Sequence, residues 1–176
     1  MVVLFSQTIL APTGAAGVCV NLGGDVRVAG SGPSAAGRGA SSEGGGTSGR
    51  GGWTVAVEHP GWEHSVARLG LSDGAVATST TLRRRWQIDG ERRHHLIDPQ
   101  TGRPSDTDVT VATVVAGQAW IAEVLAKAVI LAGSSHPFDI LGGTGAQALA
   151  IDERGGIQAT TGLSVFLGGA ALAAVV

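Results

Sequence analysis

The chain has 176 residues, 43% of them hydrophobic, enough for one compact domain with one core and too many for a chain disordered throughout. Its 12 basic and 14 acidic residues leave a formal charge of −2, so no overall field draws it to nucleic acid or to an anionic membrane. A single cysteine, Cys19, excludes an internal disulfide, and no run reaches the roughly 18 apolar residues that a bilayer span needs.

Residues 1–16 form a lead with no clear period. Met1 to Phe5 are apolar but lack the basic start and cleavage site of an export signal, which leaves a cytoplasmic location as the default expectation. Gly17-Val18-Cys19-Val20-Asn21-Leu22 reads as a buried strand, with Cys19 a small buried hydrophobe. Gly23-Gly24-Asp25 is a tight turn, and the alternating Val26-Arg27-Val28-Ala29 is a return strand. Fourteen of the 22 residues in 31–52 are Gly or Ser, which predicts a flexible insertion too poor in apolar side chains to offset its ordering entropy.

Residues 53–58 and 63–71 predict two further strands, and Ser72-Asp73-Gly74 a turn. A strand from Ala75 then ends in four hydroxyls, Thr78-Ser79-Thr80-Thr81. These can hold phosphate or satisfy their own backbone. Asp89-Gly90 marks a hairpin whose arms carry Arg83, Arg84, Arg85, Arg92 and Arg93. The absence of Tyr and scarcity of Phe argue against a nucleic-acid face and leave a solvated hairpin face or a few arginines aimed at one phosphate ligand. A long strand follows over residues 108–115.

Residues 118–132 predict a helix that is apolar almost all round, ended by Gly133 as C-cap and buried on most sides. Its only charged residues are Glu123 and Lys127, four apart and on one face. Lys127 is the only lysine of the chain. The pair is either a surface contact or part of a cleft. Strands at residues 147–152 and 157–160 and an apolar tail at 163–176 complete the chain. Many strands with one long buried helix predict an α+β fold with a mostly antiparallel or mixed sheet.

The densest chemistry lies in His94-His95-Leu96-Ile97-Asp98-Pro99-Gln100-Thr101-Gly102-Arg103-Pro104. Pro99 biases Asp98 towards extended backbone, Gly102 permits positive φ, and Pro104 fixes the exit. Two readings stand. Either a strand delivers a proton acceptor into a rigid loop, or the histidines cap a strand at the surface. A zinc hydrolase on His94, His95 and His136 is disfavoured because their spacing fits no zinc template.

This block, preceded in order by Asn21-Leu22-Gly23-Gly24-Asp25-Val26-Arg27-Val28-Ala29-Gly30 and Asp73-Gly74-Ala75-Val76-Ala77-Thr78-Ser79, resembles the FAD:protein FMN transferases, the ApbE family. The resemblance implies an ApbE-like, T-fold-related domain over residues 17–162 that lacks the family's N-terminal half. It also implies FAD as substrate, Mg²⁺ on its pyrophosphate, and transfer of FMN to a threonine of a target protein with release of AMP. In that scheme His95 accepts the proton, and Asp98 orients it or holds the loop. Thr78, Ser79 and His94 lie near the nucleotide, and Asn21, Gly23, Gly24 and Asp25 line its pocket. Family members commonly act outside the cytoplasm.

One departure stands out. The family's helix reads roughly Ala-Asp-Ala-Leu-Ala-Thr-Ala, and its Asp and Thr bind the metal. Glu123 and Lys127 occupy those positions here. Glu123 remains a metal ligand by type. An ammonium has no lone pair, so Lys127 is expected to contact the nucleotide in place of Mg²⁺. Self-modification is not expected, because Val76 stands where the family's acceptor motif, roughly Asp-Gly-Ala-Thr, has its hydroxyl. The alternatives are a non-catalytic flavin-nucleotide binding module and an inactive fragment.

Overall fold

A computed structural model describes residues 14–33 and 52–167. Most of the predicted lead, of the Gly/Ser insertion and of the tail lies outside the described residues. The elements are β1 (Gly17–Leu22), β2 (Asp25–Gly30), β3 (Trp53–Val57), β4 (Ala67–Leu71), β5 (Asp73–Thr80), β6 (Arg85–Ile88), β7 (Glu91–His94), β8 (Val109–Ala116), α1 (Ala119–Ala132), β9 (Gln147–Asp152) and β10 (Ile157–Ala159).

Six strands form one sheet in the order β1-β2-β5-β8-β9-β10. Every neighbouring pair in it is antiparallel, so the expected α+β class holds and the mixed option falls away. Pairs β3-β4 and β6-β7 stand apart as two-stranded ribbons. The sheet is covered on both faces, which is why all eight residues of β8 are buried and its sequence shows little polar alternation. Ala75, Ala77, Ala112 and Val114 pack under α1. Val26, Val28, Val76, Val111 and Val115 pack on the opposite face beneath β3-β4 and Leu163. Alanines dominate the α1 side, and this lets the helix lie close to the sheet.

Four expectations are corrected. β1 is not buried: it is the sheet edge, paired only with β2, and Cys19 is exposed on it. α1 is not buried on most sides. It packs through Ala119, Ala122, Leu125, Ala126, Val129 and Ile130, while Trp120 and Val124 stay 55% and 54% exposed because only one sheet lies against it. The turn expected at Ser72-Asp73-Gly74 shrinks to a bend at Ser72, with Asp73 and Gly74 already in β5. Arg27 is the reason. At 3% exposure it is buried in β2, and its guanidinium binds the Gly74 carbonyl at 2.8 Å and the Asp73 carboxylate at 2.6 Å, pinning Val28↔Gly74 and Ala29↔Asp73. Finally, the structured unit extends past residue 162, since Leu163 is 1% exposed in the core.

Candidate functional site

β7 ends at His94 and delivers the chain into a closed loop. An Ile97↔Pro104 bridge, an Asp98 N–H bond to the Arg103 carbonyl (2.8 Å) and a Gly102 N–H bond to the Asp98 carbonyl (2.8 Å) shut it, with Gly102 at φ 66. The Asp98 carboxylate accepts the Gln100 N–H at 2.8 Å. That bond ties the carboxylate to the loop's own backbone. His94 is also engaged by backbone. Its Nδ1 accepts the Leu96 N–H at 3.2 Å, so in that tautomer Nε2 carries the proton and donates to the Ser105 carbonyl at 3.1 Å.

His95 differs from its neighbour. Its Nδ1 is buried and has no hydrogen-bond partner among the described residues. A buried polar atom left unpaired costs about 1–3 kcal/mol, so the site holds an unsatisfied group. Burial lowers the imidazole pKa below the usual 6.5, and the charges of Arg84, then His94 when protonated, then Lys127 lower it further. The ring is therefore neutral near pH 7 and able to accept a proton. No carboxylate is among the groups that act on it.

Strand alternation sorts the remaining candidates. Val26 and Val28 face away from α1, so Asp25 faces towards it; Ala75 and Ala77 lie under α1, so Ser79 shares that face. Burial raises the Asp25 pKa above its usual 3.8, the charge of Glu123 raises it further, and Lys127 opposes them. Lys127 Nζ lies 2.6 Å from Glu123 Oε1, each side chain 44% exposed. A pair this open contributes a few tenths of a kcal/mol after solvent screening.

The other face holds a different set. Asn21, Gly23, Gly24 and Thr78 line a groove of about 620 Å³ with Trp62 and Thr54. Gly23 and Gly24 have φ 68 and 108, values an L side chain resists, and Asn21 Oδ1 caps the turn by accepting the Gly24 N–H at 3.0 Å. Thr78 Oγ1 is 2.9 Å from Thr113 Oγ1. The expected nucleotide contacts thus divide: Asn21, Gly23, Gly24 and Thr78 on the groove side, Asp25, Ser79, Glu123 and Lys127 on the helix side.

The donors do not fit a divalent ion. Glu123 is engaged by Lys127, whose ammonium offers no lone pair where a hydroxyl is expected. Among the described residues no three His, Cys, Asp or Glu side chains converge on a common point.

Arg84 is the arginine that the sequence does not single out within the hairpin. It stands between two other arginines in an exposed run, and nothing in its type separates it from them. Its backbone does. Arg84 has φ 52, in the left-handed region, at a cost on the order of 1 kcal/mol.

Comparison with known proteins places these features in a family context. The ApbE family model matches residues 6–150. A FAD:protein FMN transferase of Escherichia coli K12 is 27% identical over 105 residues, covering 58% of this chain and 30% of that protein. One from Treponema pallidum is 36% identical over 83 residues, 46% of this chain and 23% of that one. Among solved structures, the ApbE protein of Thermotoga maritima superposes with TM-score 0.72 at 30% identity, over 92% of this chain and 48% of its own. The flavin transferase ApbE of Vibrio cholerae gives 0.64 at 25% identity, over 92% and 48%. The chain thus spans about half the length of these structures and under a third of the curated relatives.

Proposed function

This chain belongs to the ApbE family, and on that premise we propose that it carries the base-bearing part of an FMN-transfer site. The donor is FAD. A threonine hydroxyl of an acceptor protein attacks the FMN phosphorus, forming an O–P bond. The bond from that phosphorus to the AMP oxygen breaks, and AMP leaves. The proton released by the hydroxyl passes to His95. Asp98 and His94 hold the loop from which His95 projects. The observation that carries this reading is the buried His95 Nδ1 with no hydrogen-bond partner among the described residues, on a ring whose pKa burial and then the charge of Arg84 lower. A base must be unprotonated to act, and cations around it draw in the phosphate it serves.

Lys127 takes the place the family's metal ligand would hold. It supplies one fixed positive charge, oriented by Glu123, and Ser79 offers a hydroxyl on the same face. A single ammonium stabilises a pyrophosphate less than a divalent cation does, and this favours a second reading: binding of the flavin nucleotide without transfer.

The test uses the purified chain, FAD and a synthetic peptide containing Asp-Gly-Ala-Thr, with AMP followed by chromatography and flavin on the peptide by fluorescence. Release of AMP with labelled peptide, lost in His95→Asn, supports transfer. Saturable FAD binding without AMP supports the binding module. No FAD binding with or without Mg²⁺ overturns both.

A further inference from the structure

The base of the β6-β7 ribbon brings one more group to the site. Arg85 pairs with His94 as the last rung of that ribbon. One step beyond it the ladder ends, with Arg84 preceding one arm and His95 following the other, and the charge of Arg84 acts on the His95 imidazole. The strand before this point is tied down. Thr80 Oγ1 bonds the Thr110 carbonyl at 2.8 Å and accepts the Leu82 N–H at 3.0 Å, and the Thr81 N–H bonds the Thr110 carbonyl at 2.9 Å. The Arg85 Nε then donates to the Thr81 carbonyl, closing the 81–85 bend. Arg84 sits at the turn of this clamp with its left-handed backbone. Arg85 and Arg93 are engaged by protein groups, whereas the Arg84 guanidinium makes no ion pair or hydrogen bond among the described residues.

The charge count of the site leaves a place for it. The family's divalent cation would bring two positive charges. Lys127 brings one, and Glu123 beside it at 2.6 Å offsets part of it. Asp25 faces the Glu123 side of the cluster and adds no positive charge. The remaining positive charge near His95 is that of Arg84, whose effect on the imidazole exceeds that of Lys127. A guanidinium also offers a planar fork of donors that matches phosphoryl oxygens, which an ammonium does not.

We propose that Arg84, next to the last rung of the ribbon that leads into His95, binds the phosphoryl oxygens of the nucleotide's diphosphate, so that recognition of the diphosphate by this chain runs through an arginine rather than a divalent ion. The inference rests on the flavin-nucleotide reading above. It also explains the backbone: a left-handed residue at this bend suits glycine, and an arginine there is retained for its side chain.

The test is an FAD titration by calorimetry in the presence of EDTA, on the parent chain, Arg84→Gly, Arg84→Lys and, as a control on the same ribbon, Arg92→Gln. Riboflavin, which lacks phosphate, is titrated in parallel. Arg84→Gly relieves the left-handed strain, so its thermal midpoint should equal or exceed the parent's. Its FAD affinity should fall tenfold or more, with riboflavin affinity unchanged. Arg84→Lys should fall between the two, and Arg92→Gln should match the parent. FAD affinity in Arg84→Gly within twofold of the parent overturns the inference, as does a parent that binds FAD only when Mg²⁺ is added. A parent that binds no FAD in either buffer overturns the functional reading itself.

Discussion

The two faces of the six-stranded sheet are built by the same strands and carry different chemistry. The face under α1 is lined by alanines near the helix and by Asp25, Ser79, Glu123 and Lys127 at its margin. The face under β3-β4 is lined by valines and leucines, with the groove of Asn21, Gly23, Gly24 and Thr78 beside it. Because successive side chains of a strand point oppositely, Thr78 and Ser79 cannot serve the same side of the sheet. The helix brings its own ion pair, Glu123 and Lys127, to one side, whereas the charged residues of the groove, Glu58 and Arg83, come from outside the six-stranded sheet. The difference teaches that adjacency in a motif and adjacency in a site are separate properties.

The comparison can be broken most sharply at His95. His95→Asn should lower the rate of AMP release by about 10²–10⁴-fold while leaving FAD affinity near that of the parent; an unchanged rate removes the base from the helix side. Next come paired cavity mutants. Ile130→Ala on the sheet-facing side of α1 and Leu69→Ala on the buried side of β4 should each cost about 2–5 kcal/mol in urea unfolding, as both side chains are fully buried. Only Ile130→Ala should also weaken FAD binding, because Glu123 and Lys127 ride on its helix. Equal effects on binding would show that the two faces are not distinct sites.

A smaller contrast lies within β5. Thr78→Val loses the contact to Thr113 and should cost about 1 kcal/mol of stability with little change in FAD affinity, whereas Ser79→Ala should do the reverse. The opposite pattern would move the nucleotide to the groove. Glu123→Gln is the mildest change. It should cost a few tenths of a kcal/mol, diminishing further in added salt, since the pair is half exposed.

Acid sharpens the same comparison. The folded His95 pKa lies below 6.5, so on acidification the unfolded chain takes its proton first. The His95 contribution to stability is complete above pH 6.5 and is lost as pH falls from there through the folded value. His59, lowered by burial near the groove, acts in the same sense. Asp25, raised above 3.8, acts in the opposite sense: between 3.8 and its folded value the folded chain holds the extra proton, so stability rises as pH falls. An NMR titration of the His95 ring should find its midpoint below 6.5, and Arg84→Gln should move it upward. A midpoint at or above 6.5 would contradict the cationic surroundings.

Local signals accounted for much of the architecture. Asp89-Gly90 marked the β6-β7 ribbon, Gly133 ended α1 at φ 75, and Gly102 closed its loop at φ 66, because turn chemistry is decided by one or two residues. The loop following His95 was legible for the same reason. Arg27 was not: an alternating Val-Arg-Val-Ala predicts an outward arginine, and only β5, 47 residues away, supplies the carbonyl that buries it.

The sequence by itself determined the α+β class, the order of the motif blocks, the Glu123–Lys127 pairing at one helical turn, and the rigidity of the Asp98 loop, all of which depend on neighbours a few residues apart. The tertiary structure alone decided that β1 is an edge, that Leu163 is core, that Thr78 and Ser79 part company, and that Arg84 rather than another arginine brings its charge to His95. Those outcomes depend on strand order, register and the layer that covers each face, and no short window of sequence contains them.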